Sequence, residues 1–144
     1  VATTSTGEVP LDAMMRNGVR GAPDVAAIAS LEPHKLCVMV WHYHDDDVAG
    51  PDAAVALALD HLPVPGGTVK MTHYRIDETH SNSFTVWKKL GSPTAPNEAQ
   101  YAQMEKAGQL TQREASVTVD VANGTVALKF ALPRQAVSLL VLEW

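Results

Sequence analysis

The feature that most constrains this chain is a turn. Asn123-Gly124 lies between two stretches in which every second residue is apolar: Val117, Val119 and Val121 before it, Val126, Leu128 and Phe130 after it. Both central positions of a two-residue type I′ turn need φ > 0, which Gly adopts freely and Asn tolerates, so Asn-Gly between alternating hydrophobics signals a strand reversal. With these two residues as the loop, Ala122 faces Thr125, and the expected pairs are Val121–Val126, Val119–Leu128 and Val117–Phe130. Thr118 and Lys129 then meet on the opposite face. A slip of one residue would turn every apolar side chain the wrong way. A chain patterned like this builds sheets.

The same period recurs upstream. Lys35 to His44 alternates Leu36, Val38 and Val40 with Cys37, Met39, Trp41 and Tyr43, so both faces are apolar and a central strand is expected. Strands are also expected at Ala53 to Leu59, Thr68 to Asp77 and Ala136 to Trp144, and Val25 to Ser30 is placed to pair with the Lys35 strand through Glu32-Pro33. Residues 79–110 depart from this period. They predict a short helical stretch around Ser83 to Leu90 and a helix from about Ala95 to Ala107, with Thr94 as N-cap, Pro96 in the first turn and Gly108 at C′. Tyr101 and Met104 would be its buried stripe. The expected fold is mainly β: one antiparallel β-sandwich of about six or seven strands with a short helical insertion at about residues 83–107.

Composition limits the function. At 144 residues the chain supports one core and is too short for a (β/α)₈ barrel of about 250 residues. A net charge of −5 supplies no basic stripe, so nucleic acid is not an expected partner. No apolar run approaches the ~20 residues that span a bilayer, so no membrane partner is expected either. Cys37 is the one cysteine, which excludes an intramolecular disulfide; its apolar neighbours predict a buried structural thiol. The amino end, Val1 to Gly7, has neither an initiator Met nor a signal pattern and reads as the start of a cut or processed chain.

Two clusters carry chemistry-bearing side chains. In Trp41-His42-Tyr43-His44-Asp45-Asp46-Asp47 the two histidines stand at i and i+2 and share a strand face. They are half of a conceivable zinc site, to which Asp46, His73 or His80 would add a ligand. The consecutive aspartates lack the spacing of a calcium loop, and a structural or interface role is expected, with no metal and no cofactor. Asp77-Glu78-Thr79-His80-Ser81-Asn82-Ser83 offers acid, imidazole and hydroxyl without a Gly-x-Ser-x-Gly elbow, so capping is the expected work. Asn97-Glu98 is followed by Ala99 at a helix start, where an acid favours the helix dipole. No catalytic residue is expected.

The stretch from Tyr74 to Pro93, reading YRIDETHSNSFTVWKKLGSP, resembles the accessory-domain segment of glycoside hydrolase family 39 β-xylosidases. Val40 to Val48 and Gln100 to Leu110 are similar to the same proteins, and the resemblance runs from about Gly7 to the end. It implies a β-sandwich that follows a (β/α)₈ barrel and packs against it, the barrel holding both catalytic glutamates. On that reading residues 1–144 are a single non-catalytic accessory domain, with 1–22 a linker-like lead-in, and the partner is the catalytic barrel. His42, His44, Asp45, Asp46, His80 and Asn82, at expected strand ends, would form a barrel interface or active-site rim. The alternative is a carbohydrate-binding module taking xylan-type sugars, with xylooligosaccharide as its partner. Such modules need open aromatics, whereas the contexts of Trp41, Trp87 and Trp144 predict burial. An independent metal enzyme built on His42 and His44 is the third reading.

Overall fold

Two antiparallel sheets of unequal size face each other in the computed structural model, which describes all 144 residues. In chain order the elements are α1 (Leu11–Asn17), β1 (Asp24–Glu32), β2 (Lys35–Tyr43), β3 (Ala53–Leu59), β4 (Gly66–Ile76), α2 (Ser83–Lys89), α3 (Glu98–Gly108), β5 (Thr111–Gln112), β6 (Val117–Ala122), β7 (Val126–Leu132) and β8 (Ala136–Glu143). The large sheet runs β1-β2-β8-β4, with β5 and β6 both paired to β4; the small sheet is β3-β7. This is the expected β-sandwich, with α2 and α3 inserted between β4 and β5. As expected, β1 and β2 form a hairpin, and β2 is central.

The Asn123-Gly124 turn forms, but the hairpin beyond it does not. Asn123 and Gly124 have φ of 52° and 73°, and Ala122 and Thr125 exchange both backbone bonds, at 3.0 and 2.9 Å. The strands then separate. Val119 of β6 pairs with Val69 of β4, while Val126, Leu128 and Phe130 of β7 pair with Leu59, Leu57 and Val55 of β3. The expected pairs Val121–Val126, Val119–Leu128 and Val117–Phe130 are therefore absent. Alternation specifies which face is buried, and any strand with matching alternation can be the neighbour. Splitting the hairpin lets β6 and β7 face one core from opposite sheets. The β3–β4 connection crosses beside it, and Leu62 N–H donates to Gly124 O at 2.9 Å to tie the two crossovers together.

The third helix also starts later than expected. Asn97, not Thr94, is its N-cap: Asn97 Oδ1 accepts from Gln100 N–H at 2.9 Å and Gln100 Oε1 accepts from Asn97 N–H at 3.0 Å. Pro96 disfavours α geometry at Ala95, which moves the start downstream. Gly108 is the last helical residue instead of C′, and the Ser83 hydroxyl lies where a Cβ on Gly108 would project. Ser83 Oγ donates to Met104 O at 2.9 Å, so close approach of the two helices requires that glycine. No residue of α3 is buried, and Tyr101 is 62% exposed, so the expected Tyr101–Met104 stripe covers no core.

Register orders the core into rows across the large sheet. Leu31, Leu36, Leu142 and Met71 form one inward row, followed by Ala29, Val38, Leu140 and His73. Next come Ala27, Val40, Ser138 and Arg75, then Val25, His42 and Ala136. The core therefore grades from aliphatic at one end to polar at the other. Leu132, Leu140 and Leu142 are fully enclosed, each contributing about 1.5–3 kcal/mol by burial.

Candidate functional site

The polar end of the core is the first half of the site. Arg75 is 2% exposed, and its Nη2 donates to Ala131 O at 3.0 Å. His42, likewise buried, contacts Leu132 O through Nδ1 at 2.9 Å; a carbonyl only accepts, so Nδ1 carries the hydrogen. Together they hold the last carbonyls of β7. His73 Nε2 lies 2.9 Å from Ser138 Oγ, and Glu114 Oε1 lies 3.9 Å from His73 Nδ1. That is the acid–imidazole–hydroxyl order of a nucleophile set, yet Ser138 is 0% exposed and meets no substrate. The set joins β4 to β8.

Burial lowers the His73 pKa to about 4, with Arg75 and Arg113 adding repulsion. The unfolded chain takes a proton near pH 6.5, and the folded chain refuses it until about 4. Stability is thus complete above 6.5 and falls on acidification through that window by about 3 kcal/mol. Urea midpoints measured from pH 7.5 to 4 will show this slope, and His73→Gln will flatten it.

The two clusters expected at a rim meet at this end of the sandwich. A cleft of about 730 Å³ is lined by His44, Asp45, Asp47 and Asp52 on one side and by Asp77, Glu78, Asn82 and Lys88 on the other, with Arg134 and Gln135 at its back. His44 uses both ring nitrogens on backbone: Nε2 donates to Arg20 O at 3.1 Å and Nδ1 accepts from Asp46 N–H at 3.1 Å. Asp45 accepts from Val19 N–H at 2.9 Å, and its hydrogen bond with the Tyr43 phenol raises the pKa of that phenol. Asp46 lies 3.5 Å from Arg20 Nε. Asn82 caps α2 through Thr85 N–H, and its Nδ2 donates to Asp77 O at 2.8 Å.

Asp77 anchors the second cluster. Its Oδ1 accepts from Thr79 N–H at 2.8 Å, His80 N–H at 2.9 Å and His80 Nδ1 at 2.9 Å, and its Oδ2 faces Arg75 Nη1 at 3.8 Å. Burial pushes this carboxyl upward, but the hydrogen bonds from His80 and Thr79 outweigh it and hold the pKa below the ordinary value.

Of the expected rim residues, His44, Asp45 and Asn82 line the cleft. His42 and His44 are 2% and 6% exposed; His42 Nδ1 and both ring nitrogens of His44 bond to backbone within the chain, while His42 Nε2 has no hydrogen-bond partner. No three His, Cys, Asp or Glu side chains converge as a metal-ligand set. Two residues outside the expected clusters, Gln135 and Arg75, organise the site. Gln135 has φ of 62° and clamps the end of β2: its N–H donates to His42 O at 2.8 Å and its Nε2 to His44 O at 2.6 Å. Nothing in its sequence context signals this. Arg75 was legible, as a charge at an inward position in step with Val69, Met71 and His73.

The second half of the site is the outer face of the large sheet. Register aligns Ile28, Met39, Leu139 and Tyr74 in one outward row and Ala26, Trp41, Val137 and Ile76 in the next. Ile28 is 51% exposed, Met39 40% and Ile76 42%. Cys37 lies on the same face, half-buried, where full burial was expected. Trp41, Trp87 and Trp144 are likewise half-buried instead of enclosed. Ala26 in the second row is 4% exposed, and Asp24 beside it accepts from Val9 N–H and Trp41 Nε1, so the open apolar surface is that of Ile28, Met39 and Ile76. Exposed apolar surface of this kind marks an interaction face.

Comparison with solved structures matches this architecture to a family 39 glycoside hydrolase from Xanthomonas axonopodis pv. citri, with a TM-score of 0.62 over 87% of the chain and 18% identity. The chain shares its fold with part of a family 39 glycoside hydrolase. A monomeric β-xylosidase from Caulobacter crescentus CB15 matches with a TM-score of 0.59, 17% identity and 88% coverage. A bacterial orthologue of human α-L-iduronidase matches with 0.57, 20% and 93%. The chain spans 28% of the family 39 enzyme, 28% of the β-xylosidase and 23% of the iduronidase orthologue. No protein-family model matches the chain, and no curated protein matches it. No helix is long and apolar enough to cross a membrane.

Proposed function

We propose that this chain is the non-catalytic, carboxy-terminal accessory sandwich of a β-xylosidase-like retaining glycoside hydrolase. It packs against the (β/α)₈ catalytic barrel and stabilises it in xylan or xylooligosaccharide breakdown. The observation that carries this reading is the exposed apolar surface on the outer face of the large sheet, at Ile28, Met39 and Ile76. A barrel presents an outer ring of helices, and a flat apolar sheet face is the surface that packs on helices. The fold shared with part of larger glycoside hydrolases supports the same reading. The carbohydrate-module alternative has less support, since of the two exposed aromatics of the cleft Phe84 is stacked on Trp87 at 5.5 Å with Lys88 over its ring, and the Tyr43 phenol is hydrogen-bonded to Asp45.

Adding the purified chain to the matching barrel, produced separately, is the test. Saturating chain should raise the barrel's melting temperature by about 5 °C or more through mass action. An unchanged melting temperature and unchanged xylosidase activity would reject the proposal.

A further inference from the structure

The small sheet has an open edge. β3 pairs only with β7, and none of the backbone hydrogen bonds outside the ladders involves residues 53–59, so alternate N–H and C=O groups of β3 have no backbone partner. The strand reads Ala-Ala-Val-Ala-Leu-Ala-Leu, without a charge or a proline to blunt it. Two apolar hollows run beside it in the seam between β3 and β1. One of about 510 Å³ lies against Leu57 and Leu59, and one of about 350 Å³ lies against Val55 and Leu57. The amino-terminal residues cross this seam but bond to β1, through Gly7 O to Val25 N–H at 2.9 Å and Ser5 Oγ to Ala27 N–H at 3.2 Å.

Charge identifies what fits. Exposed aspartates bracket the strand, Asp52 before it and Asp60 after it. A second copy pairing antiparallel about Ala56 would match Val55 with Leu57 acceptably, but would set Asp52 opposite Asp60 at both ends. Like charges directly opposite destabilise a strand pair, so the edge disfavours itself in that register, in which the two strands pair over their full length. We infer that the β3 edge is a strand-addition site for an extended segment of a partner protein, apolar at alternate residues and carrying Lys or Arg at both ends. Main-chain bonds to β3 supply the affinity, the two hollows take alternate side chains, and Asp52 and Asp60 select the cationic ends.

The inference stands apart from the barrel proposal, because it is read on β3 alone. Amide hydrogen exchange of the full chain would be followed with a synthetic nine-residue peptide that spans Asp52 to Asp60, Lys-Val-Thr-Val-Thr-Val-Thr-Val-Lys, and with its Glu-ended counterpart. The Lys-ended peptide should slow exchange at alternate β3 amides, with affinity about fivefold above that of the Glu-ended one. Raising salt to about 0.5 M, or the exposed pair Asp52→Asn and Asp60→Asn, should erase that preference while leaving weak binding. Absence of protection, equal protection by both peptides, or protection confined to β1 would overturn the inference. So would protection that rises with the chain's own concentration and no peptide, which would assign the edge to a second copy.

Discussion

Leu140→Ala is expected to lower unfolding stability by about 3–4 kcal/mol. Leu140 is 0% exposed and sits between Val38 and His73 in the second inward row. Its neighbours belong to β2 and β4, which are held in register by their own ladders with β8, so the cavity left by truncation has little room to collapse. The cost is then the lost transfer energy plus the cavity. Urea denaturation followed by tryptophan fluorescence should show the midpoint falling by about 1–2 M at constant slope. A shift below a few tenths would mean that the middle of the sandwich is not packed as described.

Asp77→Ala is expected to cost about 3 kcal/mol by a different route. The carboxylate organises the turn after β4 through Thr79 and His80, and it is the anion nearest buried Arg75. Removing it leaves a guanidinium enclosed with Ala131 O as its hydrogen-bond acceptor. Asp77→Asn keeps an acceptor for the turn and loses the charge, so it should fall between wild type and alanine. The pH dependence separates this group from His73. A depressed carboxyl stabilises the fold above its ordinary pKa and loses that contribution as pH falls through its folded value, so the Asp77 effect lies below about pH 4. The His73 effect lies above it, between 6.5 and about 4. Wild type and Asp77→Asn should therefore converge in stability under strong acid, while His73→Gln alters the milder range.

Face was legible in the sequence, and partnership was not. The alternation of Leu36, Val38 and Val40, or of Val55, Leu57 and Leu59, marks inward positions that the structure keeps. The same rule misled at Asn123-Gly124, because period two says nothing about which strand lies alongside. The turn chemistry was right, and the strands left it in different sheets. Helix α3 shows the opposite case, where local chemistry decides a boundary: Asn97 with Gln100 outcompeted Thr94. At the site, the polar clusters around His44 and Asn82 were visible as strings of side chains, and their meeting across one cleft is a product of topology. The inward turn of the His42 ring was implicit in its period, in step with Val38 and Val40, yet two histidines beside three aspartates suggested surface. The apolar outer face was hidden for the same reason that strands apolar on both sides read as central: a buried face and a docking face have one composition.

The central claim is that the outer sheet face is the surface the catalytic barrel covers. Calorimetric titration of the barrel with wild-type chain and with the Ile28→Asp, Met39→Asp variant tests it, since both side chains are exposed and their replacement leaves the core intact. The account predicts wild-type binding with a negative heat-capacity change, the mark of apolar burial, and at least about a hundredfold loss of affinity in the variant. Binding by the variant as tight as by wild type would contradict it.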